Sequence, residues 1–291
     1  MPVMKQEYSL WDILTSLLFP QKFILLSLTF LPRTILSQPS LLLPWNLPLL
    51  KSLWFTRFWS FVGPQVRENS SALVIPLLSG HISRGITHPS PIHPPLSGTV
   101  LEIGPGSGMW LPTLSQIPSI TKIYGVEPNE GNAASLRQTV KTAGLEGRYN
   151  VIPVGIEDLE AVAHIEKGSV DSVMTVMCLC SIPEPQKNIK MLYEYLKPDG
   201  KWYVYEHVKT FDGELPGQGE PWEPKQPKWL GWYQSFMNIF WPHFVGGCEM
   251  CRDTSKYLLQ DAGPWQEVDL AQPANSPWFQ TMPHIIGVLT K

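Results

Sequence analysis

The stretch Val100-Leu101-Glu102-Ile103-Gly104-Pro105-Gly106-Ser107-Gly108 decides the fold. Apolar residues that run into an acid and then a glycine-rich turn describe a buried strand that breaks sharply. Glycines there let the backbone approach a bulky ligand where a Cβ would collide. About 20 residues on, Ile123-Tyr124-Gly125-Val126-Glu127-Pro128 reads as a second strand that ends in an acid beside the first turn. A carboxylate at that tip can accept protons from both hydroxyls of a ribose, so the pair of strands reads as a nucleoside site.

The glycine spacing separates two ligand classes. A dinucleotide site calls for Gly-x-Gly-x-x-Gly, with a helix N-terminus turned to a pyrophosphate. This chain has Glu102-x-Gly104-x-Gly106-x-Gly108. A carboxylate two residues before the first glycine repels phosphates and suits a cationic ligand group, such as the methionine ammonium of S-adenosylmethionine. On these residues the sequence resembles the class I S-adenosylmethionine-dependent methyltransferases. The resemblance implies an α/β fold, a doubly wound, mostly parallel seven-stranded sheet of Rossmann-like type, with S-adenosylmethionine as cofactor.

Downstream of Thr99, short apolar strands alternate with helical stretches, which independently predicts a doubly wound parallel sheet. Strands are expected at 100–103, 123–126, 149–154, 170–176 and 202–206, and helices from Gly108 to about Ser115, at 133–143 and at 188–196. Gly144 closes the second helix, and Lys197-Pro198-Asp199-Gly200 is a tight turn. The run from Val170 to Val176 is apolar enough to be buried on both faces.

A formal net charge of −3, without a dense Lys/Arg stripe, argues against nucleic acid as a partner. The four cysteines form two close pairs, Cys178/Cys180 and Cys248/Cys251, which is no disulfide framework for 291 residues. Cys248-x-x-Cys251 lacks a second ligand pair at matching spacing, so no metal is expected. Cys178 and Cys180 follow an apolar strand and read as packing or pocket-lining residues. His81, His88 and His93 lack partners at ligand spacing and read as solvated or lid histidines.

Residues 1–65 are apolar, aromatic and broken by proline. Phe23 to Leu31 is too short to span a bilayer, and Thr34 to Leu50 carries Pro39, Pro44 and Pro48. The segment reads as an arm that lies on a membrane surface, packs on the catalytic domain, or does both. Trp45, Trp54, Phe55, Phe58, Trp59 and Phe61 favour the membrane surface, with Lys22, Arg33, Lys51 and Arg57 able to reach anionic headgroups. Residues 66–98 form a connector that ends in prolines and is expected to act as a lid, and residues 99–291 form the catalytic domain.

Ligands bind at the carboxyl ends of the strands in such sheets. That rule selects Met177, Cys178, Leu179, Cys180 and Ser181 after the fourth strand and His207 after the fifth. Methyl transfer from a sulfonium is an in-line displacement, so holding the partners in line and excluding water matter most. His207 is the candidate base where an acceptor must lose a proton; its competing role is a histidine bonded to backbone at a strand end. Gly155-Ile156-Glu157-Asp158-Leu159 resembles the family's adenine loop, with Ile156 on the ring face and Glu157 or Asp158 accepting the amino proton. The alternative is an acidic helix start. The aromatic residues Trp222, Trp229, Trp232, Tyr233 and Phe236, with the proline-rich insert 210–229, read as an acceptor wall or as core.

Further stretches sharpen the resemblance: Val176-Met177-Cys178-Leu179-Cys180-Ser181-Ile182, Tyr205-Glu206-His207-Val208, and Trp241-Pro242-His243-Phe244-Val245-Gly246-Gly247-Cys248. They look like the membrane-associated methyltransferase-like proteins that include alkyl thiol methyltransferases. That likeness implies a hydrophobic small-molecule acceptor with thiol, nitrogen or oxygen as the methylated atom, in secondary metabolism or thiol detoxification. It also implies an anchor on the cytosolic face of endoplasmic reticulum or lipid droplets. The rival classes are a noncatalytic membrane-associated nucleoside-binding adaptor and a nicotinamide-dependent oxidoreductase.

Overall fold

The computed structural model describes residues 8–210, 226–274 and 276–291. The chain opens with three short helices, α1 (Leu10–Leu17), α2 (Phe19–Leu28) and α3 (Leu31–Ser37). Ser9 caps α1 with a reciprocal bond pair: its hydroxyl accepts from the Asp12 N–H while the Asp12 carboxylate accepts from the Ser9 N–H. Two 3-10 turns lead into α4 (Leu47–Leu78), 32 residues that continue through Pro64 and Pro76. A 32-residue helix spans about 48 Å.

An internal proline removes a helical hydrogen bond and disfavours the helix. Burial offsets that cost here. Leu50, Trp54, Phe58 and Val62 recur every four residues on the buried face, and Ser70, Val74 and Leu78 continue the same spacing beyond Pro64. One helix therefore joins the hydrophobic arm to the connector, and position 65 lies within it.

A small hairpin, β1 (Ile82–Ser83) and β2 (Ile86–Thr87), precedes the main sheet. The sheet strands are β3 (Gly98–Ile103), β4 (Ile120–Val126), β5 (Tyr149–Ile152), β6 (Val170–Val176), β7 (Leu196–His207), β8 (Glu267–Ala271) and β9 (His284–Thr290). Their spatial order is β5-β4-β3-β6-β7-β9-β8. The first five run parallel, whereas β9 pairs antiparallel with both β7 and β8. This is the doubly wound sheet that the alternation of strands and helices predicted, in the mostly parallel, seven-stranded form that the family resemblance implied. Order reverses after β3, which places the switch point at the glycine turn.

The intervening helices are α5 (Leu111–Leu114), α6 (Glu130–Thr142), α7 (Leu159–Ala163) and α8 (Pro185–Tyr195). The expected helix from Gly108 is reduced to α5, because residues 106–110 form turns before it. Gly144 does close α6: it takes a φ of +66°, and the Leu145 N–H reaches the Val140 carbonyl. The predicted turn at Lys197–Gly200 is a loop-out inside β7, where the register with β6 jumps from Val170↔Leu196 to Ser172↔Lys201.

Two apolar layers flank the sheet. Leu101, Ile103 and Val173 face α8 through Ile189 and Leu192, while Val100, Met174 and Val176 pack with Val74, Leu78, Trp110 and Leu136 on the other side. The final helices are α9 (Lys228–Asn238), α10 (Trp241–Phe244) and α11 (Thr254–Lys256). They receive the arm. The Phe23 ring stacks on Trp241 at 5.4 Å, Ser27 donates to the Phe244 carbonyl at 2.7 Å, and the Trp54 indole donates to the Ser27 carbonyl at 2.7 Å.

The connector after α4 runs along β8 and β9. His93, read as a solvated or lid histidine from the sequence, is buried and pairs with Asp269 at 2.6 Å. The reason is tertiary: β8 brings a carboxylate from 176 residues away. Most of the proline-rich insert, with Trp222, lies outside the described residues.

Packing of the arm has a measurable consequence. Phe58 is fully buried and meets Phe23 and Phe30 edge-on, whereas Phe61, one turn away, is 62% exposed. Phe58→Ala should cost about 3–5 kcal/mol in urea unfolding, and Phe61→Ala about 0.5 kcal/mol or less. Equal costs would mean that the helices of the arm do not pack around Phe58.

Candidate functional site

The ends of β3 and β4 bring two acids together inside the protein. Glu102 is 2% exposed and accepts a hydrogen bond from the Tyr149 hydroxyl at 2.6 Å. Glu127 is 5% exposed; one oxygen accepts from the Gly106 N–H at 2.9 Å and the other from the Asn129 N–H at 3.0 Å. Burial pushes the Glu102 carboxyl up to about 7, opposed by the Tyr149 hydrogen bond and reinforced by the nearby Glu127 charge. Burial also raises Glu127, against the pull of its backbone donors.

The turn between them depends on glycine at two positions. Gly104 has a φ of +64°, and a Cβ there would lie 2.6 Å from the Cβ of Cys178. Gly106 has a φ of +59° and faces open space until Trp59 of α4, whose indole nitrogen would stand 3.6 Å from an added Cβ. Gly108, the third glycine of the motif, lies against Leu111, Leu136 and Thr139 and serves helix packing.

The cover of this turn is α4. Thr56 donates to the Asn129 side chain at 3.1 Å, Ser52 accepts from it at 2.9 Å, and Phe55 stacks on Trp59 at 5.7 Å. The segment nearest the glycines is thus within the arm, upstream of the connector from which a lid was expected. A cavity of about 320 Å³ opens beside it, between Ser52, Phe55 and Asn129 on one side and Pro242, Phe244 and Gly246 on the other.

After β5, Ile156 is buried in a 3-10 turn (Ile156–Asp158), and Glu157 is exposed with its carboxylate folded back over Gly155. After β6 the chain turns at Met177, which holds a φ of +54°, uncommon for a residue with a side chain. Cys178 follows, half-buried beside Gly104. Its N–H donates to Glu206 at 3.0 Å and its thiol to the same carboxylate at 3.5 Å; the Leu179 N–H adds a bond at 3.1 Å. Glu206 is fully buried, which pushes it up to about 8.

Sequence reasoning gave no role to Glu206, Tyr149 or α4 at this site. An acid closing an otherwise apolar strand was the available signal for Glu206. Nothing local marks Tyr149, whose hydroxyl reaches Glu102 across β4. His207 is 3% exposed, and its Nε2 lies 3.0 Å from the Cys248 sulfur. Sulfur, and not backbone, is therefore its partner.

The residues present fit an adenosine-derived cation. Two coupled buried carboxylates flank a glycine cradle, and no Lys or Arg among the described residues bonds to either acid. Fold and site together define the class of S-adenosylmethionine-dependent transferases.

Comparison with known proteins agrees. A family model described as "Methyltransferase domain" matches residues 79–263. The chain belongs to that family and is a class I S-adenosylmethionine-dependent methyltransferase, with S-adenosylmethionine as its cofactor. It is similar to the thiol S-methyltransferase TMT1B of Rattus norvegicus, 27% identical over 195 residues, which cover 66% of this chain and 70% of the relative. The human protein of the same name is 26% identical over 194 residues, with coverage of 66% and 70%. A solved O-methyltransferase family protein from Burkholderia thailandensis shares the fold, with a TM-score of 0.51 at 14% identity, covering 82% of this chain and 59% of that one. The rival oxidoreductase and adaptor classes are set aside by these matches.

The buried acid predicts a pH dependence. Folded Glu102 holds its proton to about 7, against an ordinary value of 4.5. Between these values the folded chain binds more protons than the unfolded one, so stability is greatest at low pH within the window and falls as pH rises. In urea unfolding of the ligand-free protein between pH 5 and 8, Glu102 should contribute a loss of order 3 kcal/mol, to which the buried acids Glu127 and Glu206 add with the same sign. Glu102→Gln should make that slope shallower by its share, and an unchanged slope would remove Glu102 as a source.

Proposed function

We propose that this methyltransferase acts on the thiol of a hydrophobic small molecule, at a membrane surface, with Glu102 and Glu127 holding the cofactor. The observation that carries the acceptor is the similarity to thiol S-methyltransferases across two thirds of the chain. The cofactor, when bound, supplies an electrophilic methyl group on a sulfonium.

In this reading Glu127 accepts from both ribose hydroxyls while its backbone bonds to Gly106 and Asn129 keep it aimed. Glu102 offsets the ammonium charge. Ile156 covers one face of the adenine and Glu157 accepts from its amino group, while Gly104, Gly106, Gly108 and Cys178 shape the wall. Trp59 and Phe55 exclude water from above. A thiol fits a site without a free base: its small thiolate fraction near neutral pH is strongly nucleophilic and attacks after the proton has gone to solvent, so His207 is not needed to remove it. An amine or alcohol acceptor would need that help.

Binding a cation favours ionised acids, so cofactor affinity should rise with pH through about 7. Glu127→Gln should weaken cofactor binding by roughly 100-fold, about the value of two charge-assisted hydrogen bonds, in calorimetric titration. A screen of alkyl thiols, amines and phenols, read by mass spectrometry, tests the acceptor. Methylation of amines or phenols without thiols would reject the thiol reading.

The membrane reading is supported by apolar side chains facing solvent. Trp11 is 76%, Leu36 79%, Trp45 73% and Trp232 75% exposed, beyond what scattered surface residues on a monomer require. No single helix among the described residues is long and apolar enough to cross a membrane; α1 together with residues 19–37 passes only as a bent pair. The arm would lie in the interface, with indoles at headgroup depth. Replacing Trp11, Trp45 and Trp232 by Ser should abolish flotation with phosphatidylcholine–phosphatidylserine vesicles and leave cofactor affinity intact. Equal flotation of both forms would reject the reading.

A further inference from the structure

Three potential metal ligands far apart in sequence meet in the interior. Cys180 lies in the turn after β6, His207 is the last residue of β7, and Cys248 follows α10. All three are buried, and their ligand atoms lie within 4.8 Å of one another. Among the described residues they form the one such cluster. We propose that Cys180, His207 and Cys248 bind a thiophilic divalent cation, zinc by the chemistry of its donors.

The geometry suits that ion. With Zn–S near 2.3 Å and Zn–N near 2.0 Å, a tetrahedral centre sets neighbouring ligand atoms roughly 3.6 Å apart. His207 Nε2 and the Cys248 sulfur are now 3.0 Å apart, so a shift of a few tenths of an ångström opens that pair to coordination distance. Two thiolates and a neutral imidazole carry the charge that balances a divalent ion, which a buried site requires.

The surroundings support the same assignment. The His207 Nε2 has the Cys248 sulfur as its hydrogen-bond partner, and its Nδ1 is buried with none. Sulfur is a weak acceptor, so a buried imidazole placed among thiols is poorly satisfied until a metal takes its lone pair. The Trp241 indole donates to the Cys248 sulfur at 3.2 Å, a contact that stabilises thiolate and fixes the ligand's direction. The two sulfurs and the nitrogen come from three separate segments, so a bound ion would tie the α9–α10 region to the sheet. Trp241 in turn stacks on Phe23, which links the site to the arm.

The sequence pair Cys248-x-x-Cys251 is not the ligand set. The Cys251 thiol points to Gln234 and Ser235, at 3.8 and 3.9 Å. The proposal is also independent of the acceptor, so its failure would leave the thiol reading untouched.

Elemental analysis of the full chain, purified under reducing conditions and reconstituted with zinc, should find one equivalent per chain. Cobalt substitution should give a thiolate-to-cobalt charge-transfer band in the near ultraviolet and strong visible bands of a tetrahedral ion. Cys180→Ser and Cys248→Ser should each remove the band, whereas Cys251→Ser should keep it. His207→Cys should retain a cobalt site with an altered spectrum, which separates lost ligation from lost folding. A chelator should lower the wild-type Tm and leave that of Cys248→Ser unchanged. Absence of stoichiometric metal and of the cobalt band in the wild type would overturn the proposal, as would loss of the band in Cys251→Ser, or thiol counting that finds Cys180 and Cys248 joined as a disulfide.

Discussion

A buried carboxylate has to find hydrogen-bond donors, and that constraint organises the carboxyl edge of this sheet. Glu127 satisfies it with the N–H groups of Gly106 and Asn129, so one side chain ties the glycine turn after β3 to the turn that starts α6. Glu102 satisfies it with the Tyr149 hydroxyl of β5. Glu206 satisfies it with the N–H groups of Cys178 and Leu179 and so sets the turn after β6. Glu127 and Glu206 thereby hold three loops around one crevice, and Glu102 is braced by a neighbouring strand. Their burial raises all three pKa values, a shift that a positive charge bound between them would oppose.

The arm and the catalytic domain share one continuous helix. Residues of α4 that begin on the arm reach the glycine turn through Thr56 and Trp59, then enter the core through Val74, Leu77 and Leu78. A displacement of the arm would therefore be felt at the cofactor turn. The same segment presents aromatic side chains outward, so its inward stripe binds the domain while its outward residues remain for a partner surface.

Sulfur is concentrated at and behind the turn after β6. Cys178 lies on the glycine turn and Cys180 with Cys248 behind it, around His207. His207, the candidate base at the end of β7, is enclosed by thiols and by His284, at 6.2 Å between ring centres.

The sequence by itself determined the five parallel strands as units alternating with helices, and the acids and glycines at the first switch point, but not the antiparallel pair β8 and β9. Those features are local: strand periodicity, a glycine turn and an acid at a strand tip are written within a few residues of one another. The run 170–176 was legible to the residue because a central strand is apolar on both faces. Tertiary structure alone decided what meets across the fold. Tyr149 reaches Glu102, Asp269 reaches His93, Trp59 covers Gly106, and Cys180, His207 and Cys248 converge. Each contact joins segments tens to hundreds of residues apart, and no spacing rule along one strand or helix encodes it. The proline-bearing helix α4 belongs to the same group, since local propensity opposes it and only burial against the domain keeps it whole.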